Sequence, residues 1–183
     1  YFAGSAAHRG QPVYRLVNDV WKKVLAPDAE AMRSGEAFWI FTKGGSDYQG
    51  PFTVETGTSD GILTLDGLSG ESVVLRNHTD HPVTPHMEHV TLDAQPVPLS
   101  INVRVLGDSL AESIKYVSAK KPAQAWEQEM PPLESGGRLA VPFSVRTAEM
   151  TESEQASLLR FTTDMGTELW VPVLGRRADL EKK

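Results

Sequence analysis

Four of the five histidines of this chain fall within twelve residues, His78-Thr79-Asp80-His81-Pro82-Val83-Thr84-Pro85-His86-Met87-Glu88-His89. Imidazole nitrogen and carboxylate oxygen suit Zn, Ni or Cu ions, so His78, His81, His86 and His89 are the candidate metal ligands, with Asp80 and Glu88 beside them. Residues three apart on a strand point to opposite faces, so each His-x-x-His pair chelates only where the backbone turns. Pro82 and Pro85 can supply such turns. The competing account is a polar loop between strands whose histidines face water, because no group that would orient the ligands can be read from the sequence. Asn77-His78-Thr79 also fits the N-glycosylation sequon, which has meaning only in a eukaryotic secretory pathway.

A second chemical candidate is Ser109. The apolar run Ile101 to Val105 leads into Leu106-Gly107-Asp108-Ser109-Leu110, which resembles the nucleophile block of the GDSL esterases and lipases. The resemblance implies a serine that attacks an ester carbonyl and a later Asp-x-x-His that supplies its base. A serine without a base is a poor nucleophile at neutral pH. No histidine follows His89, and the Gly-x-Asn-Asp block of that family is missing. Ser109 is therefore expected to be inert, and a Gly-Asp-Ser turn at the end of a strand accounts for the segment. A metal-dependent hydrolase built on the histidine loop, with Asp80, Glu88 or Asp108 as its carboxylate, is the enzymatic alternative. It requires an open coordination position and a cleft.

Composition narrows the classes. A chain of 183 residues with 40% hydrophobic content can bury one domain of ordinary size and a smaller one. The net charge of −6, with basic residues only in isolated pairs such as Lys22-Lys23 and Lys120-Lys121, argues against a nucleic-acid partner. No apolar stretch reaches the roughly 20 residues of a membrane-spanning helix. Zero cysteines exclude disulfides, thiolate catalysis and cysteine-ligated zinc, and fit a reducing cytosol or a cysteine-free exported bacterial protein. The chain opens at Tyr1 with no initiator methionine and no leader, as expected of a processed product or a piece of something longer.

The elements that must position these residues follow a period of two. Val13 to Val17, Asn18-Asp19 and Val20 to Val24 have the form of a hairpin with a two-residue turn. Further strands are expected at Ala37 to Lys43, Phe52 to Glu55, Ile62 to Asp66, Ser72 to Arg76, His89 to Leu92, Ser100 to Leu106, Ile114 to Ser118, Arg138 to Arg146, Ser157 to Thr163 and Glu168 to Leu174. Alternation places Leu139, Val141, Phe143, Val145, Phe161, Leu169, Val171 and Val173 toward an interior. Pro142 and Pro172 lack a ladder donor, which predicts an edge strand or a bend at each. Residues 147–157 and Pro122 to Met130 are each expected to make a single helical turn.

Short strands separated by Gly, Pro, Asn and Asp about every ten residues indicate an all-β, antiparallel β-sandwich over 57–176. The stretch GLSGESVVLRNHTDHPVT, followed by PPLESGGRLAVPFSVRTAEMTESEQASLLRFTTDMGTELWVPVLG, resembles the immunoglobulin-like domains of exported bacterial proteins. That resemblance implies a spacer, binding or assembly role and carries no catalytic residues. Residues 1–56 are expected to form a small β module, incomplete at its N-terminus, and 177–183 a charged tail. Within the module, Ser34 to Gly44 followed by Ser46-x-Tyr48-Gln49-Gly50-Pro51 is similar to a recurrent small module of large secreted bacterial proteins. Phe38, Trp39, Phe41 and Tyr48 can supply its core. Alternatively, Trp39 and Tyr48 can form an exposed platform that stacks on sugars. A sheet of three or four strands needs another packed layer, from the sandwich or from a strand supplied elsewhere. The combined expectation is a non-catalytic, extracytoplasmic module, extracellular, surface-bound or periplasmic, with a protein or polysaccharide partner and no resident cofactor.

Overall fold

Alternation of apolar and polar residues leaves antiparallel sheet as the arrangement that buries one side of each strand. In a computed structural model, the described residues form strands, turns and short 3-10 segments, among them a 3-10 turn at Thr147–Glu149. The structure describes residues 2, 5–27, 29–33, 35–46, 48–67, 70–92, 95–105, 115–122 and 124–177. Two compact units divide the chain, Tyr1–Pro51 and Phe52–Lys183.

The first unit holds a three-stranded antiparallel sheet of β1 (Val13–Val17), β2 (Val20–Lys23) and β3 (Phe38–Ile40), in the order β2-β1-β3. Asn18 and Asp19, at φ 49° and 61°, make the expected two-residue turn, whose twist matches that of the strands it joins. The third strand is shorter than expected. Its ladder ends at Ile40, and the Lys43 N–H instead donates to the Ala7 carbonyl at 3.0 Å.

In the second unit the strands are β4 (Phe52–Glu55), β5 (Leu63–Leu65), β6 (Glu71–Asn77), β7 (Pro85–Thr91), β8 (Leu99–Val105), β9 (Lys115–Lys120), β10 (Trp126–Glu129), β11 (Arg138–Val145), β12 (Glu154–Thr163) and β13 (Glu168–Arg176). They form two five-stranded sheets, β4-β6-β11-β8-β9 and β10-β7-β12-β13-β5. The run β4-β6-β11-β8 reproduces the A-B-E-D sheet of an immunoglobulin domain and β7-β12-β13 its C-F-G sheet, with β5 laid parallel along β13. The unit is an immunoglobulin-like β-sandwich. Phe52–Glu55, assigned from sequence to the first module, pairs with β6 and belongs to the sandwich.

Burial follows the alternation. Val141, Phe143, Val145, Phe161, Val171 and Val173 lie in one core with Phe52, Leu75 and Leu159, and Leu139 and Leu169 pack against it. The Thr163-Asp164-Met165-Gly166 turn closes β12 onto β13, with Gly166 at φ 77° and its N–H on the Thr163 carbonyl.

Three expectations need correction. Pro142 and Pro172 do not lie on edge strands, since β11 and β13 each have two neighbours. At Pro142 the strand is paired on the β6 side, and pairing to β8 starts at Phe143; at Pro172 the partner is Leu158, and pairing to β5 starts at Val173. Each proline thus sits just outside the ladder on its strand's other side, where a missing N–H breaks nothing. The Pro122 to Met130 segment is not helical but contains β10, with Trp126 turned inward. The single turn expected within 147–157 is present as the 3-10 turn Thr147–Glu149, and β12 begins at Glu154. Finally, the second half of the histidine loop is strand β7.

Candidate functional site

The histidine segment does not converge. Pro85 opens β7 at a position that needs no ladder donor, and from there Pro85, Met87 and His89 face the core while His86 and Glu88 face outward. His86 and His89 therefore lie on opposite faces of one strand. His86 Nε2 is 3.6 Å from the Glu127 carboxylate, His81 Nδ1 is 3.1 Å from Asp80, and His78 Nε2 is 2.9 Å from the Thr53 hydroxyl. The four rings have four different sets of neighbours, and no group of three or more His, Cys, Asp or Glu able to hold a metal ion occurs among the described residues.

His89 is the unusual member. It is completely buried, its ring lies 5.4 Å from that of Trp126, and neither ring nitrogen makes a well-formed hydrogen bond, the backbone at Gln124 being the polar group that acts on it. Burial pushes its pKa below the ordinary histidine value, with the backbone at Gln124 acting in the opposite sense. The ring serves as a neutral core side chain.

Asn77 of the sequon is a structural hub. Its amide nitrogen donates to the carbonyls of His81, Leu133 and Glu134 at 2.7, 3.0 and 3.1 Å, and its carbonyl oxygen accepts from the Thr79 N–H and hydroxyl. At 1% exposure, with every polar atom engaged, it offers no free amide to a modifying enzyme. Ser109 and Asp108 lie outside the described residues.

The aromatic residues of the first unit separate into two groups. Tyr48 is half-buried, its ring edge-on to His8 at 5.6 Å, and His8 in turn meets Phe2. Trp39 stands apart from that cluster, beside Tyr14, with ring centroids 5.3 Å apart and planes tilted by 54°. Register then shows what shares its face. Tyr14 is opposite both Lys23 and Trp39, and Leu16 is opposite Trp21, so Tyr14, Leu16, Trp21, Lys23 and Trp39 project from one side of the sheet. Trp21 is 49% and Trp39 50% exposed, and Leu25 and Phe41, two residues beyond Lys23 and Trp39, are 87% and 51% exposed. On the other side, Arg15 is ion-paired to Glu30 at 3.1 Å and Glu36 at 3.8 Å, and Val24 is buried. That side is covered around Arg15 and Val24 but not at the hairpin end, where Val20 is 57% exposed, and the Trp21–Trp39 side is open along its length.

The sandwich shows no comparable apolar face among its described residues. Its exposed tryptophan, Trp170, donates to Glu168 at 2.9 Å and lies 5.7 Å under the Arg160 guanidinium, which is itself paired with Glu88 at 3.0 Å. The open face of the first unit is therefore the candidate site. Of the two aromatic residues expected to form an exposed platform, Trp39 is half exposed and Tyr48 is packed against His8. Tyr14, Lys23 and Trp21 were not singled out for that role, although the two-residue turn fixes the pairing of β1 with β2 and so places Tyr14 opposite Lys23 and Leu16 opposite Trp21.

The chain is similar to the ASH / PapD-like domain of human CEP192 (PapD-like domain 7), with 15% identity and a TM-score of 0.39 over 69% of this chain and 84% of that one. The Salmonella enterica SafA pilin in complex with the SafB chaperone gives 11% identity and a TM-score of 0.42 over 69% and 55%, so this chain spans just over half that relative's length. ACE19, the collagen binding subdomain of the Enterococcus faecalis surface protein ACE, gives 10% identity and a TM-score of 0.34 over 72% and 99%. No protein-family model and no curated protein matches the chain. The immunoglobulin-like assignment rests on the strand order of the two sheets and not on these likenesses.

Proposed function

We propose that this chain is a non-catalytic binding and structural module of an extracytoplasmic protein, with the sandwich as scaffold and the open sheet face of the first unit as contact surface. The carrying observation is that face, where Leu16, Trp21 and Trp39 stand exposed together on one side of a three-stranded sheet. An exposed apolar patch of several hundred Å² is the usual mark of an interaction site. Rigid aromatic side chains also give large contact area for little lost conformational freedom. The resemblance of the sandwich's strand and turn pattern to exported bacterial domains supports the compartment.

The test is a binding panel of soluble polysaccharides, lipid vesicles and the protein itself, read by tryptophan fluorescence and sedimentation, with wild type beside Trp21→Ala and Trp39→Ala. Binding to some member of the panel that both substitutions weaken supports the reading. No tryptophan-dependent binding anywhere in the panel, or turnover of an ester or glycoside by the purified protein, overturns it.

A further inference from the structure

The side chains of the open face share a chemical bias. Across one row of the sheet stand Lys23 on β2, Tyr14 on β1 and Trp39 on β3. Neighbouring strands are about 4.8 Å apart, so this row is roughly 10 Å long. It presents an ammonium, a phenol and an indole N–H: two groups that only donate hydrogen bonds and one that does both. Leu16 and Trp21 form the adjacent row and add apolar surface. Lys23 is the one ionisable cation among the described residues placed on this face by the ladder, no carboxylate accompanies it there, and it makes no ion pair among the described residues.

We infer that the face binds an acidic polysaccharide, with pyranose C–H faces stacked on Trp39, Tyr14 and Trp21 and a sugar carboxylate on Lys23. This rests on the binding-module reading above and names the ligand class. Two other occupants fit less well. A second copy of the face would set Lys23 into an apolar contact with no acid to meet it, and an unpaired buried ammonium is costly. A lipid surface would take the rings at headgroup depth, where their N–H and O–H groups find acceptors, but the face carries one cation where binding to anionic lipid uses a cluster. A saccharide offers hydroxyl and ring oxygens to every donor of the row, apolar C–H patches to the rings, and a charge opposite to the one the face carries.

The experiment is affinity electrophoresis and fluorescence titration with polygalacturonate, a neutral glucan of similar length, and phosphatidylglycerol vesicles, at low and at physiological ionic strength. Polygalacturonate is expected to retard the protein and shift its tryptophan emission. Trp39→Ala should weaken that binding roughly tenfold, the size expected of a central aromatic anchor. Lys23→Gln should weaken it about fivefold at low salt and remove most of the salt dependence, since screening acts on the one cation facing the ligand. Lys23→Arg should restore it. The emission shift of the wild type and the Lys23 pair keep the test decisive if Trp39→Ala perturbs the unit. Equal binding of the neutral glucan, untouched by Lys23→Gln, overturns the acidic class while leaving a tryptophan-dependent binding module in place. Tryptophan-dependent partition into vesicles or dimerisation overturns the saccharide assignment in the same way. No tryptophan-dependent binding to any of these overturns both.

Discussion

The sandwich and the small N-terminal sheet are written in the same residue alternation and end with opposite burial. In the sandwich, Phe143 on β11 and Phe161 on β12 are both fully buried, because each sheet supplies the layer that covers the other. In the three-stranded sheet, Leu16, Trp21 and Trp39 alternate just as regularly and stay exposed, because the chain that follows β2 covers only part of the opposite side, around Arg15 and Val24, and leaves Val20 exposed there. Alternation determines which residues share a face. Whether that face is a core or a contact surface depends on how many layers are available to cover it.

The largest break in that comparison comes from emptying a doubly covered position. Phe143→Ala should destabilise the sandwich by about 3–5 kcal/mol, since it removes a buried ring and leaves a cavity that close-packed neighbours fill only partly. Urea denaturation of the sandwich measures this. A loss below about 1 kcal/mol would mean that the two layers are far looser than their burial implies.

Next in size is the polar hub. Asn77→Ala deletes donors to three carbonyls and the acceptor of two Thr79 groups, at a site 1% exposed. The expected cost is about 2 kcal/mol: the Leu133, Glu134 and His81 carbonyls each keep one donor, from the Val83 N–H, the Gly137 N–H and the Thr79 hydroxyl, but several buried hydrogen bonds are lost together and the Thr79 N–H loses its Asn77 acceptor. The same denaturation series reads it, and Asn77→Asp tests whether the amide donors carry the effect, since it keeps the acceptor and removes them.

These positions also mark what could be read in advance. The β1–β2 hairpin was legible because Asn18-Asp19 is local chemistry that fixes a turn, and β11 to β13 because long clean alternation has one economical burial. Only the end of β7, from His89, was read as strand; its first half was hidden because the histidines and prolines of the Pro85, Met87, His89 series mask a run of core positions. Strand β10 was hidden because Trp126-Glu127-Gln128-Glu129 shows a single apolar residue, and its inward tryptophan is explained only by the neighbouring β7. The candidate face was half legible. Residue type pointed to Trp39, but its openness is a property of missing layers, and Tyr48, of the same type, is packed against His8.

His89 gives a third way to test what coverage does. Its folded-state pKa is lowered by burial beneath its ordinary value of 6.5, so below that pH the unfolded chain takes up a proton that the folded chain refuses. Stability is then unaffected by this group at neutral pH and falls as the pH drops below about 6.5 toward the folded-state pKa. A positive His89 would also be a second cation on the Trp126 ring, over which Lys121 Nζ already sits at 5.1 Å. The difference in unfolding free energy between His89→Leu and wild type should therefore shift in favour of the variant on acidification. A difference that stays constant from neutral to mildly acidic pH would show that the buried ring protonates freely.

The smallest expected effect sharpens the comparison most, because it uses neighbours in one strand extension. Val24 is 8% exposed and Leu25 87% exposed, so they fall on the covered and open sides of the small sheet. Val24→Ser should cost about 1–2 kcal/mol in lost burial, with exposure of a hydroxyl to an apolar contact. Leu25→Ser should change stability by no more than about 0.5 kcal/mol, as for a surface position that touches little. Amide hydrogen exchange of β1 and β2 separates the two without requiring the whole chain to unfold. Faster exchange in Val24→Ser with wild-type rates in Leu25→Ser is the pattern of a sheet covered on one side. If Leu25→Ser instead loosens β1 and β2 as much as Val24→Ser does, the face is covered in solution, and its tryptophans belong to packing rather than to recognition.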